Sequence, residues 1–177
     1  MSIEIHTHNL IDSFLLHLKQ IAIMSKSIQI GDKCPSFKLK DQFGKSFISD
    51  EIIGKENLII YFYPKDETAG CTKQACSFRD AYTDFLAAGA MVVGISSDNE
   101  KSHKAFAEKH NLPFTLLADT DKKVRKAFGV PTNLLGLIPG RVTYVVDKEG
   151  VVRGVFNSQM KFDQHVPEAL RILDELK

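Results

Sequence analysis

Residues 58–76 read Leu58-Ile59-Ile60-Tyr61-Phe62-Tyr63-Pro64-Lys65-Asp66-Glu67-Thr68-Ala69-Gly70-Cys71-Thr72-Lys73-Gln74-Ala75-Cys76. The first six residues are apolar and β-prone without alternation, the pattern of a strand covered on both faces. Pro64 lacks a backbone N–H and stops it. A helix is predicted from about Gly70 to about Ala88, with Gly89 as its end signal. The intervening loop leaves the carboxyl end of a buried strand, where open α/β sheets bind ligands. Cys71 opens the helix, where unpaired N–H groups and the positive end of the dipole favour an anion and hence a thiolate.

The helical stripe fixes where the sulfurs point. Cys71, Ala75, Phe78, Tyr82 and Phe85 share one face, so Cys71 faces the sheet. Cys76, five positions on, lies about 140° round the helix, with its Cα roughly 8.6 Å from that of Cys71. A disulfide needs Cα atoms within about 7 Å. These two sulfurs can join only if the first turns unwind, with Gly70 and the preceding loop as the expected hinge.

Outward from this centre, strands and helices alternate. Phe37–Lys40 and Lys45–Ile48 flank Asp41-Gln42-Phe43-Gly44 as a hairpin. Gly44-Lys45-Ser46 looks like the end of a phosphate loop, but Leu39 stands where the first glycine belongs, and the motif fails. Strands are predicted at Ala90–Ser96 and Thr115–Ala118, a helix capped by Asp98 and ending near His110, and a short helix over Asp121–Phe128. Arg141–Asp147 and Val151–Phe156 flank the turn Lys148-Glu149-Gly150, and Gln164–Leu176 closes the chain as an amphipathic helix. The fold class is α/β, a central mixed β-sheet flanked by helices.

With 177 residues, 44% hydrophobic and 25% charged, the chain suits one compact domain plus an extension. Lys plus Arg number 23 against 22 for Asp plus Glu, a net charge of +1, so no net field recruits nucleic acid or an anionic membrane. Three cysteines are too few for a disulfide scaffold and fit a reducing compartment. That compartment is the cytoplasm first, or a plastid if the source is photosynthetic. Residues 1–24 carry Leu10, Ile11, Phe14, Leu15, Leu18, Ile21 and Ala22 at helical spacing, an amphipathic N-terminal extension too polar to span a bilayer. They lack the basic start of a secretory signal and the acid-free, Arg-rich character of a transit peptide. The remaining domain is 25–177.

Pro64, Thr68 and Cys71 match the Pro-x-x-x-Thr-x-x-Cys motif of peroxiredoxins, and Cys76 matches the Q-type subfamily, also called bacterioferritin comigratory protein. The resemblance covers nearly all of residues 27–177. It includes Gly31-Asp32, Phe78-Arg79-Asp80, Gly129-Val130-Pro131 and the stretch from Gly136 to Asp147, which is similar to plant and cyanobacterial members. Cys34 departs from the pattern, standing before Pro35 where the family usually carries Ala. The resemblance implies a thioredoxin-like fold and reduction of hydrogen peroxide and organic hydroperoxides. Cys71 would be the peroxidatic nucleophile and Cys76 the resolving thiol. Arg141 would lend a permanent charge to thiolate and peroxide, Thr68 a hydroxyl, and Pro64 would shape the pocket against water. Thioredoxin or a glutaredoxin-like dithiol would re-reduce a monomer that uses no haem, flavin or metal.

Other chemistries fit less well. A zinc module would draw on Cys71, Cys76, His103 and His110, but the histidines stand seven apart on a predicted helix, read as partly exposed, with no second close ligand pair. A thioredoxin-like exchange protein wants C-x-x-C rather than C-x4-C. Binding of unfolded chains would be a secondary property.

Overall fold

The computed structural model describes residues 27–133 and 138–177. The predicted helix within residues 1–24, the boundary drawn there, and Gly136 and Leu137 of the Q-type stretch lie outside those residues.

The expected hairpin forms β1 (Lys38–Asp41) and β2 (Ser46–Ile48), with the Asp41 carboxylate accepting from the N–H groups of Phe43 and Lys45 across the turn. The buried run becomes β3 (Asn57–Phe62), followed by β4 (Ala90–Ser96) and β5 (Thr115–Ala118). A short pair, β6 (Thr132–Asn133) and β7 (Ile138–Pro139), precedes β8 (Val142–Val146) and β9 (Val152–Asn157). The helices are α1 (Ala69–Asp80), α2 (Tyr82–Ala87), α3 (Glu100–His110), α4 (Lys123–Ala127) and α5 (His165–Glu175). Seven strands join in the order β2-β1-β5-β4-β3-β8-β9. β3 runs parallel to β4 and antiparallel to β8, which makes the sheet mixed as expected.

Every residue of β3 is buried, and its two faces feed two cores. Ile59, Tyr61 and Tyr63 pack with Phe78, Phe85 and Phe106 from α1, α2 and α3, and with Val166 and Leu173 of α5. Leu58, Ile60 and Phe62 pack on the opposite side with Val124, Phe128 and Tyr144. Each such side chain contributes about 1.5–3 kcal/mol relative to exposure, which makes β3 the fixed frame for the loop that follows it.

Three expectations change in detail. The single helix to Ala88 breaks at Ala81, whose φ of −97° and ψ of 10° leave helical geometry. The break redirects α2 so that Phe85 stacks on Phe78, with ring centroids 5.6 Å apart. Asn99, rather than Asp98, caps α3 by accepting from the Ser102 N–H at 2.9 Å. The Asp98 carboxylate is already engaged by the Ser96 hydroxyl and the Asp66 N–H. The β6–β7 pair is new, with Thr132 opposite Pro139 and Asn133 opposite Ile138.

Among the described residues, no helix is long and apolar enough to cross a membrane.

Candidate active site

Cys71 lies in the first turn of α1, 1% exposed, facing the sheet with Ala75 and Phe78 as its helical stripe predicts. The β3–β8 ladder ends with Phe62 opposite Val142, so Arg141 stands beside Tyr63 at the carboxyl end of β3. Its guanidinium, 3% exposed, reaches the sulfur: Nη2 lies 3.3 Å from Cys71 Sγ. Nη1 donates to Gln74 Oε1 at 2.5 Å, and Nε to the Gln159 carbonyl at 3.3 Å. A planar fork thus spends its donors on three different partners, which fixes the cation against the thiol. The N-terminus of α1 adds its own positive partial charge on the same side.

Two glycines permit this approach. A Cβ on Gly70 would sit 3.3 Å from Arg141 Nη2 and 3.4 Å from the Phe162 ring. A Cβ on Gly140 would meet the Pro131 carbonyl oxygen at 2.2 Å, an impossible contact. The Gly140 N–H instead donates to that oxygen at 2.8 Å and seats the segment that carries Arg141.

The other expected residues are near but less engaged. Thr68 precedes α1 in extended conformation without a side-chain cap; its hydroxyl donates to the Lys65 carbonyl at 3.2 Å, and its carbonyl accepts from the Thr72 N–H. Pro64 is half-buried at the start of the loop. Cys76 is half-buried on the same unbroken helix as Cys71, and both thiols are free. Arg79 lies beside Cys76, anchored by Asp80 and the His110 carbonyl.

The loop itself is braced by groups that local sequence did not single out. Asp66, 4% exposed, accepts from the Tyr63 hydroxyl at 2.7 Å and the Ser102 hydroxyl at 2.7 Å, and contacts His103 Nδ1 at 2.9 Å. Burial acts to raise its carboxyl, but the bonds from His103, Ser102 and Tyr63 prevail and hold it below the usual range. His103, expected to be partly exposed, is fully buried, with Nε2 on the Leu117 carbonyl at 3.2 Å. Its partners come from residues 66 and 117, so no local pattern could reveal it. Glu67 adopts a left-handed φ of 60° and pairs with Lys109 at 2.6 Å. Gln74 was legible in principle, since it stands three residues after Cys71 on one helix face.

His103 is engaged by Asp66, and among the described residues no cluster of three or more His, Cys, Asp or Glu side chains could hold a metal ion.

Residues 30–155 match the AhpC/TSA family model. The chain is 52% identical over 160 residues to a chloroplastic peroxiredoxin Q of Sedum lineare, spanning 90% of this chain and 85% of that one. It is 48% identical over 174 residues to its Arabidopsis thaliana counterpart, spanning 93% and 80%. Among solved structures, peroxidoxin BcpB of Mycobacterium tuberculosis superposes with a TM-score of 0.79 at 34% identity, covering 85% of this chain and 99% of that one. Peroxiredoxin Q of Xanthomonas campestris gives 0.72 at 32%, covering 78% and 90%. The chain is a thiol-dependent peroxidase and a member of the AhpC/TSA family, of the peroxiredoxin Q type.

Proposed function

We propose that Cys71 is the peroxidatic nucleophile, Cys76 the resolving thiol, and thioredoxin or a similar dithiol the reductant. The observation that carries the reading is the Arg141 guanidinium 3.3 Å from the Cys71 sulfur, at a helix N-terminus. The Cys71 thiolate attacks one peroxide oxygen and forms an S–O bond as the O–O bond breaks. The products are a sulfenic acid and a hydroxide or alkoxide, which takes up a proton. Negative charge grows on the departing oxygen, and Arg141 is already in place to receive it. Thr68 keeps lone pairs free to accept a hydrogen bond from the peroxide O–H while its own hydroxyl donates to the Lys65 carbonyl. Pro64 contributes a wall without an N–H and limits water.

Cys76 then condenses with the sulfenic acid, giving a disulfide and water. α1 must unwind for this, because the helical spacing holds the two Cα atoms roughly 8.6 Å apart. Asp66 is anchored to α3 through Ser102 and His103, so the hinge narrows from the whole loop to residues 67–70. Exchange with an external dithiol restores both thiols, and the pair needs no second chain, which supports a monomer. Relatives described as chloroplastic favour a plastid over the cytoplasm.

The test adds one equivalent of hydrogen peroxide to the reduced protein and maps the cysteines by mass spectrometry. A rapid Cys71–Cys76 disulfide is expected. Cys71→Ser should abolish turnover, while Cys76→Ser should keep the first oxidation and accumulate sulfenic acid. An unreactive Cys71, or a first step lost in Cys76→Ser, overturns the assignment.

A further inference from the structure

We infer that Arg125, on α4, is a positioning residue for peroxide reduction: its guanidinium bridges the backbone just before Pro64 to the backbone just before Arg141. The inference rests on the assignment of Cys71 as nucleophile.

Arg125 is 4% exposed. Nη2 donates to the Tyr63 carbonyl at 2.8 Å and Nη1 to the Gly140 carbonyl at 3.1 Å. The β3–β8 ladder ends one step earlier, with Phe62 opposite Val142. Beyond that point the two chains part, one towards Pro64 and Cys71, the other back through Gly140 towards Pro131. The guanidinium occupies the place of the next rung. It ties together the two segments whose separation sets the distance from Arg141 to the Cys71 sulfur.

The fork is held from behind. Asp119, at the end of β5, accepts from the N–H groups of Arg125 at 2.8 Å and Val124 at 3.1 Å, which fixes α4. The guanidinium lies over the Phe62 ring, 5.5 Å from its centroid. Burial of a cation with carbonyls as its hydrogen-bond partners is an expensive way to fill space, and an apolar side chain of the same length would do it at less cost. A guanidinium reaches the two carbonyls from two separate nitrogens in a fixed fork, whereas an ammonium would have to serve both from one point. The charge also falls within electrostatic reach of Cys71, so it adds to the positive field there.

The test compares wild type with Arg125→Met and Arg125→Lys at pH 7, after circular dichroism has shown which variants fold. Two rates are measured: peroxide consumption, and labelling of Cys71 by iodoacetamide, followed by mass spectrometry. The expected result is a fall of about tenfold in both rates for Arg125→Met, since the guanidinium of Arg141 loses its register with the sulfur. Arg125→Lys, a point donor, should fall less but in the same sense, and it alone carries the test if Arg125→Met does not fold. A merely structural role moves labelling the other way, because a loosened fold exposes a sulfur that is now 1% exposed. Labelling that rises, or wild-type peroxide rates in the folded variants, overturns the inference. Wild type that fails to oxidise at Cys71 overturns the assignment of the nucleophile instead.

Discussion

Cys71 and Cys34 are buried thiols on opposite faces of one sheet, 1% and 8% exposed, and their surroundings could hardly differ more. Around Cys71 the core is laced with polar groups: Arg141, Gln74 and, further back, Thr143 and His165. Cys34 lies among Phe37, Phe128 and Val152, with the Asp50 carboxylate as its charged neighbour. Burial, and then Asp50, push the Cys34 thiol up to about 12. Burial is thus common to both sulfurs, and the sign of the nearby charge separates them. Burial does most to hold the proton on Cys34 and the Asp50 carboxylate adds to it, whereas the charge beside Cys71 is a guanidinium.

The largest effect should appear in labelling of Cys34. A thiol that ionises near 12 rather than 9.0 holds about a thousandfold less thiolate at neutral pH. Iodoacetamide at pH 7.5 should therefore leave Cys34 unmodified in the folded protein and modify it promptly in guanidinium chloride. Labelling of folded Cys34 at the rate of a free thiol would break the contrast.

The same contrast explains what the sequence discloses. β3 is legible because a strand covered on both faces leaves an unbroken apolar run, and the head of α1 because Pro64 and the stripe from Cys71 to Phe85 bracket it. Arg141 is legible as a strand-opening charge beside β3. What stays hidden depends on distant partners. Asp98 and Asn99 are both good caps, and the choice falls to Asn99 because Asp98 is taken by the Asp66 N–H. No Gly or Pro marks the break at Ala81, which follows from where Phe85 must pack. The burial of His103 is written at residues 66 and 117, and the bridge made by Arg125 at residues 63 and 140. Short-range pattern singles out the candidate residues, while the groups that surround them arise from the tertiary fold.

A polar core has a cost that acid should reveal. His165 opens α5, with Nδ1 2.8 Å from the Thr143 hydroxyl and Nε2 3.0 Å from the Ser158 carbonyl. Burial, reinforced by the Arg141 charge, lowers its pKa from 6.5 to about 4. The folded state therefore refuses a proton that the unfolded chain accepts. Stability from this group is complete above about pH 6.5, declines by about 3 kcal/mol between 6.5 and 4, and changes no further below. The contribution of Asp66, held below the ordinary carboxylate range, is lost in a lower window. Urea titrations at pH 7, 5.5 and 4 should show this slope, and His165→Asn should flatten it. An equal slope in that variant would assign the acid sensitivity elsewhere and leave the two faces of the sheet alike.

The smallest effect separates charge from shape at Arg141. Lysine keeps the positive charge but offers one head in place of a fork that serves the Cys71 sulfur, Gln74 and the Gln159 carbonyl together. If the nearby charge alone distinguished Cys71 from Cys34, Arg141→Lys would react with peroxide at the wild-type rate. Loss of one charge-assisted hydrogen bond in the transition state predicts a fall of about tenfold. Stopped-flow oxidation of Cys71 at pH 7 distinguishes the two, with Arg141→Met as the floor. A rate for Arg141→Lys between wild type and Arg141→Met means that charge and geometry both act. Equality with wild type would reduce the arginine to a point charge, and the bracing of its fork would then need another purpose.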